Sequence, residues 1–150
     1  MNRLLIATDG SPAADAAVQA GVQLAAEQLA GVVFLHVIEE VDVVAPSFGP
    51  IIVNPVEQGN PEDDEILSAA AEIARTQGVP FDLRLVAAFD YETILATADE
   101  IDAELIVIGS NRHGALGTTF LGSVSKEVLK RADRPVLVVH PTAALVAATA

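Results

Sequence analysis

The sequence predicts a single-domain, three-layer α/β/α protein built on a five-stranded parallel sheet. Short apolar runs alternate with helical stretches from residue 1 to about residue 141, and one run, Val32 to Ile38, is apolar throughout apart from His36. A near-continuous apolar run is the pattern of a strand covered on both faces, and strands that alternate with helices require a parallel sheet with helices on each side. At 150 residues and 51% hydrophobic composition the chain has enough apolar mass for one sizeable core and no room for a second domain.

Leu4 to Thr8 reads as the first strand, closed by Asp9-Gly10. Ser11-Pro12 is an N-cap with proline at the first helical position, and Ala13 to Leu29 is an alanine-rich helix for which Gly31 offers the stop. Val32 to Ile38 is the second strand. Asn60-Pro61 repeats the cap-plus-proline signal, and Glu62, Asp63, Asp64 and Glu65 then fall in a first turn, where the helix dipole favours negative charge; the cluster reads as capping chemistry and not as a metal site. That helix runs to about Gln77, Gly78 ends it, and Phe81 to Ala87 is the third strand. Asp90 caps a helix to Ile101, Glu104 to Gly109 is the fourth strand, Gly122-Ser123 opens a last helix to about Ala132, and Pro135 to His140 is the fifth strand. Residues 142–150, mostly Ala, Val, Thr and Leu, form a loose tail.

Residues 39–60 contain Pro46, Pro50 and Pro55, with no helical period. So long a connection packs on a ligand, on the domain body or on a second subunit, or else is a poorly ordered crossover.

Composition excludes several function classes. The formal charge of −13 repels a phosphate backbone and an anionic membrane surface, so nucleic acid and membrane are not expected partners. With no cysteine there is no disulfide, thiolate chemistry or cysteine-based metal site. The N-terminal apolar run is too short for a signal peptide and no apolar stretch is long enough to span a bilayer, which makes the cytoplasm the expected compartment. Residues 109–140 nevertheless carry Arg112, Lys126, Lys130, Arg131 and Arg134 against Glu127 and Asp133, net +3, leaving −16 for the rest. Such a stretch reads either as a small-anion site or as solvated helix cations.

If the first strand lies in the middle of the sheet, its end at Thr8-Asp9 and the end of the fourth at Ile108-Gly109 are neighbours, and ligands in such sheets bind at the carboxyl ends of strands where the winding reverses. From Gly109 the chain passes Gly114 and Gly117 to Gly122-Ser123-Val124-Ser125 at a helix start. Glycines admit close approach of backbone amides, a helix start presents amides and a positive dipole end, and Ser123 and Ser125 add hydroxyls; this is the physics of a phosphate cradle, although strand-to-helix turns also use glycine for geometry alone. Neither a P-loop nor a clean GxGxxG is present. Asp9 could equally serve an Asx turn. His36 reads as a satisfied core histidine, His140 as solvated, and His113 as a neighbour of the loop; with no nucleophile elbow, a Ser110, His113, Asp9 triad is rejected.

Taken together, Leu5-Ile6-Ala7-Thr8-Asp9-Gly10-Ser11, Leu35-His36-Val37, Ile106-Val107-Ile108-Gly109-Ser110, Leu121-Gly122-Ser123-Val124-Ser125 and Arg134-Pro135-Val136-Leu137-Val138-Val139 resemble the universal stress protein family in order and spacing over residues 1–141. The resemblance implies a Rossmann-like, adenine nucleotide alpha hydrolase-like fold with strand order 3-2-1-4-5. It also implies an adenine nucleotide, ATP or AMP or a cyclic form, in a regulatory or stress-response role with little or no hydrolysis. Ala7, Thr8 and Val37 would wall the adenine, Asp9 would accept from the ribose or help hold a phosphate-bridged Mg²⁺, Ile108 and Gly109 would line base and ribose, and Gly122, Ser123, Val124 and Ser125 would bind phosphates.

Nucleotide-binding members carry Gly, two residues, Gly, nine residues, Gly and Ser or Thr; here Gly109, Gly122 and Ser123 match, while Arg112 stands at the second glycine, where its permanently charged fork would either occlude the phosphate or clamp it. The resemblance further implies a homodimer through the apolar edge strand Pro135 to His140, which otherwise needs covering. The alternative is a homodimeric scaffold of the same family that has lost the ligand and acts by protein contacts. Arg112 divides the two readings.

Overall fold

Strands of alternating apolar residues that bury both faces give this chain two cores, one on each side of a sheet. The computed structural model describes residues 1–38, 56–57, 59–88, 90–110 and 122–141. The strands are β1 (Arg3–Ala7), β2 (Gly31–Ile38), β3 (Val56–Glu57), β4 (Phe81–Ala87), β5 (Leu105–Gly109) and β6 (Val136–Val139); the helices are α1 (Pro12–Gln28), α2 (Glu65–Thr76), α3 (Asp90–Glu100) and α4 (Ser123–Arg131). The sheet order is β3-β4-β2-β1-β5-β6. All pairings are parallel except β3 with β4. The five parallel strands therefore keep the expected 3-2-1-4-5 order. The winding reverses between β5 and β2, on either side of the central β1.

Because side chains alternate across a strand, Leu4, Ile6, Val32 and Phe34 face one core with α1 and α2, while Leu5, Val33, Leu35, Ile106 and Ile108 face the other with α3 and α4. All nine are buried to 3% exposure or less. Within the first core, Gly21 of α1 lets the helix lie on the sheet, since a Cβ there would run into Ile6 and come within 3.5 Å of Val107 Cγ1.

Three local expectations change. Residues 39–60 are not strandless: Val56–Glu57 adds an antiparallel edge strand, paired as Val56 with Ala87 and Glu57 with Val86. Two residues are too few to show a period of two in sequence. Residues 39–55 and 58 of the connection lie outside the described residues, as do Arg112, His113 and the tail 142–150.

The second helix begins later than the Asn60-Pro61 signal suggests. Asn60 caps only a single 3-10 turn, Pro61–Asp63, and Asp64 caps α2 by accepting from the Leu67 amide at 2.9 Å. Asp64 also meets His36 Nδ1 at 3.1 Å, so the later start gains a second partner and fixes α2 to the end of β2. His36 is thus the satisfied histidine expected of it.

Gly31 does not stop α1; it is the first residue of β2. The helix ends instead on Leu29 at φ 54°, with Leu29 N–H donating to Ala26 O and Ala30 N–H to Ala25 O. This paired closure satisfies the terminal carbonyls at the cost of about 1–2 kcal/mol for a left-handed leucine.

Candidate functional site

At the carboxyl ends of β1, β2 and β5 the strands open into a cleft of about 240 Å³. Its floor is the turn after β1. Thr8, only 5% exposed, donates its N–H to Leu35 O and accepts from the Gly10 amide at 3.3 Å. Asp9 Oδ1 accepts the Ser11 N–H at 2.9 Å, an Asx turn that leads into the Ser11 cap of α1. Both readings of Asp9 thus meet in one residue, for it shapes the turn and also lines the cleft.

One side wall comes from β2 and α3. Leu35 and Val37, two residues apart on one strand face, line the cleft together with Ile94 of α3. The opposite wall is Ile108, Gly109 and Ser110 at the end of β5. Gly109 is required here by packing and not by backbone conformation: a Cβ would fall on the Ala13 carbonyl group and lie 2.7 Å from Ala14 N. The first turn of α1 rests directly on the end of β5 at this point. Ser110 is held from the other side, with its N–H donating to Val139 O and its carbonyl accepting from His140 Nδ1 at 3.1 Å. His140 is therefore a half-buried partner of the wall, and not the solvated residue that its place at a strand end suggested.

The start of α4 closes the cleft. Gly122 occupies the N-cap position at φ −60° and ψ 161° and supplies no side-chain cap, so the amide end of the helix meets the cleft without a competing carboxylate or hydroxyl at that position. Gly122, Ser123, Val124 and Ser125 all line it. Ser125 is 5% exposed and donates from Oγ to Gly109 O at 3.2 Å.

Every candidate named from the sequence other than Arg112 lines this one cleft, and Arg112 is outside the described residues. Ser11, Ala13, Ala14, Leu35, Ile94 and Ser110 join them without having been named as binding residues. Leu35 and Ser110 were within reach of the sequence, Leu35 two residues along a strand from Val37 and Ser110 directly after Gly109. Ile94 carries no such signal.

Several cations of the basic stretch are engaged elsewhere. Arg134, 15% exposed, donates through Nη1 to Ala98 O at 2.9 Å and Ala103 O at 2.8 Å, and pairs with Asp99 and Asp133. Arg131 pairs with Glu127 at 2.8 Å and lies over the Tyr91 ring. Arg131 and Arg134 therefore hold the faces of α3 and α4 rather than the cleft.

Near the floor, burial and the negative charge of Asp9 push the Asp15 carboxyl above the ordinary aspartate range. A raised carboxyl favours the folded state when protonated, so its contribution is full below the unfolded-state value and is lost as pH rises through the folded one. Asp15→Asn should accordingly raise Tm at pH 7 and leave it unchanged near pH 3. A fall in Tm at pH 7 would contradict this.

Among the described residues there is no group of three or more His, Cys, Asp or Glu able to hold a metal ion, and no helix is long and apolar enough to cross a membrane.

Comparison with known proteins fits this geometry. The model of the Universal stress protein family matches residues 1–140. The chain belongs to the universal stress protein family. A universal stress protein of Bacillus subtilis is 34% identical over 146 residues, covering 93% of this chain and 99% of that protein. A Mycobacterium tuberculosis universal stress protein is 32% identical over 149 residues, and there the chain spans only 49% of the relative's length. Among solved structures, a universal stress protein in complex with cAMP superposes with a TM-score of 0.69 at 24% identity, covering 94% of this chain and 98% of that one. An Arabidopsis thaliana family member with AMP bound gives 0.68 at 16% identity, covering 96% and 94%. At these identities the structural neighbours establish the universal stress protein fold, a Rossmann-like sheet.

Proposed function

We propose that the cleft binds an adenine nucleotide and that the protein acts by binding, in a regulatory role, with little or no turnover. The observation that carries this reading is the convergence of the Thr8-Asp9 turn, the Ile108-Gly109 strand end and the start of α4, whose N-cap Gly122 has no side chain, on one cleft. Leu35, Val37, Ile94 and Ile108 supply apolar walls suited to a purine, and Asp9 keeps Oδ2 for a ribose hydroxyl. Neighbours of the same fold have been crystallised with cAMP, dAMP and AMP, which supports a nucleotide of this size.

Asp9 is the one carboxylate in the described lining, and its Oδ1 is already bonded. It could give a single ligand to a Mg²⁺ carried on phosphates, which is the donor set of a guest ion and not of a protein cage.

Thermal shift tests the reading. AMP at about one hundred times its Kd should stabilise by about 2.7 kcal/mol and raise Tm by about 5–10 °C. Asp9→Ala should abolish that rise, and no rise with AMP, cAMP or ATP would favour the ligand-free scaffold. Arg112→Gly decides the remaining departure: tighter ATP binding means the guanidinium obstructs, weaker binding means it clamps.

We further propose a homodimer through β6. Among the described residues this strand is a sheet edge paired only to β5, and Leu137 on it is 36% exposed. Unpaired edge backbone beside an apolar side chain invites pairing with a second copy. Light scattering at micromolar concentration should give the dimer mass and Leu137→Lys the monomer; a monomeric parent contradicts it.

A further inference from the structure

We infer that Ser125 is a positioning residue, which sets the spacing between the base wall and the anion end of the cleft and does not give its hydroxyl to the ligand's phosphate. This rests on the nucleotide reading above and says how the site is held in shape. Ser125 is 5% exposed, and its Oγ lies 3.2 Å from the Gly109 carbonyl oxygen. A carbonyl only accepts, so the hydroxyl proton points at Gly109. A serine has one such proton, and a phosphate oxygen bearing negative charge needs donors. What remains on Oγ is lone-pair density, which faces a phosphate unfavourably. Ser123, two residues earlier, is exposed and lines the same cleft, and its hydroxyl suits the donor's role.

Gly109 is the point at which three elements meet. The start of α1 at Ala13 and Ala14 fills the space that a Cβ on Gly109 would need, Gly109 itself ends β5, and its carbonyl holds α4 through Ser125. Farther along, α4 is anchored by fully buried Val128 and by Val124 packed against the same core. Loss of the Ser125 hydroxyl therefore leaves α4 docked but releases its first turn from the strand end. The distance between the wall that would meet the base and the amides that would meet the phosphate is then no longer fixed. Both halves of the ligand should feel the change.

Calorimetric titration with adenosine and with AMP separates this role from direct contact. In Ser125→Ala both dissociation constants should weaken by the same factor, about tenfold, the worth of one hydrogen bond at a buried site. Ser125→Thr, which keeps the hydroxyl, should restore both, while Ser123→Ala should weaken AMP and leave adenosine unchanged. If Ser125→Ala does not fold, Ser125→Cys carries the same comparison, since its thiol is a far weaker donor of similar size. A Ser125 variant that weakens AMP alone would mean direct donation to phosphate and overturn the inference, as would a variant that changes neither ligand. Failure of the parent protein to bind either compound overturns the nucleotide reading itself, and the parent control tells that outcome apart from failure of the positioning role.

Discussion

Gly109→Ala should lower Tm by about 6–12 °C, although a glycine-to-alanine change in a strand ordinarily helps by narrowing the unfolded ensemble. The added methyl has nowhere to go. It would land on the Ala13 carbonyl group and 2.7 Å from the Ala14 nitrogen, and both neighbours are helix backbone that cannot swing aside as a side chain does. Relief requires α1 to lift from the end of β5, which disturbs Ala17, Val18 and Val22 where they pack against the sheet. Overpacking of this kind costs about 3 kcal/mol or more. Thermal denaturation without ligand measures it, and a Tm equal to the parent's would show that the α1–β5 contact is not as close as described. Because Gly109 also walls the cleft, lost binding in this variant would say nothing separate about the ligand.

Gly122→Val is the complementary experiment and should give the opposite pattern. Its φ of −60° and ψ of 161° suit any residue, and no described atom lies within 4 Å of a Cβ placed there. Stability should fall by only about 1 kcal/mol, because valine is a poorer N-cap than glycine. AMP affinity should fall by more than tenfold, since the isopropyl group would occupy the approach to the first amides of α4, where an anion is best held. Titration calorimetry beside a melting curve checks both halves. Unchanged AMP affinity would remove the α4 start from the site.

These two glycines show how far the sequence could be read. Both belong to one glycine-rich strand-to-helix motif, and both were expected to serve the ligand. The structure divides them: one admits a neighbouring helix, the other leaves a helix start uncapped. Nothing local distinguishes them, because the atoms that exclude a Cβ at 109 are almost one hundred residues away in the chain. The sheet order was legible because alternation of apolar runs with helices leaves few parallel topologies, and the family resemblance selected one of them. The start of α2 was not, since Asp64 is chosen as cap by a long-range partner, His36, that outweighs the proline signal at Pro61. The end of α1 at Leu29 was missed for a related reason: Gly31, the obvious stop, is taken into β2 by pairing with Arg3. Ile94 entered the cleft through tertiary placement alone.

The central claim is that a nucleotide sits between the turn after β1, the end of β5 and the start of α4. Titration of ¹⁵N-labelled protein with AMP, followed by amide chemical shifts, tests it most directly. The largest changes should cluster at Thr8, Asp9, Gly109, Ser123 and Val124, with little change in the surface groove between α1 and α2 near Gln19 and Glu72. No shifts at millimolar AMP, or shifts centred on that groove, would contradict the account.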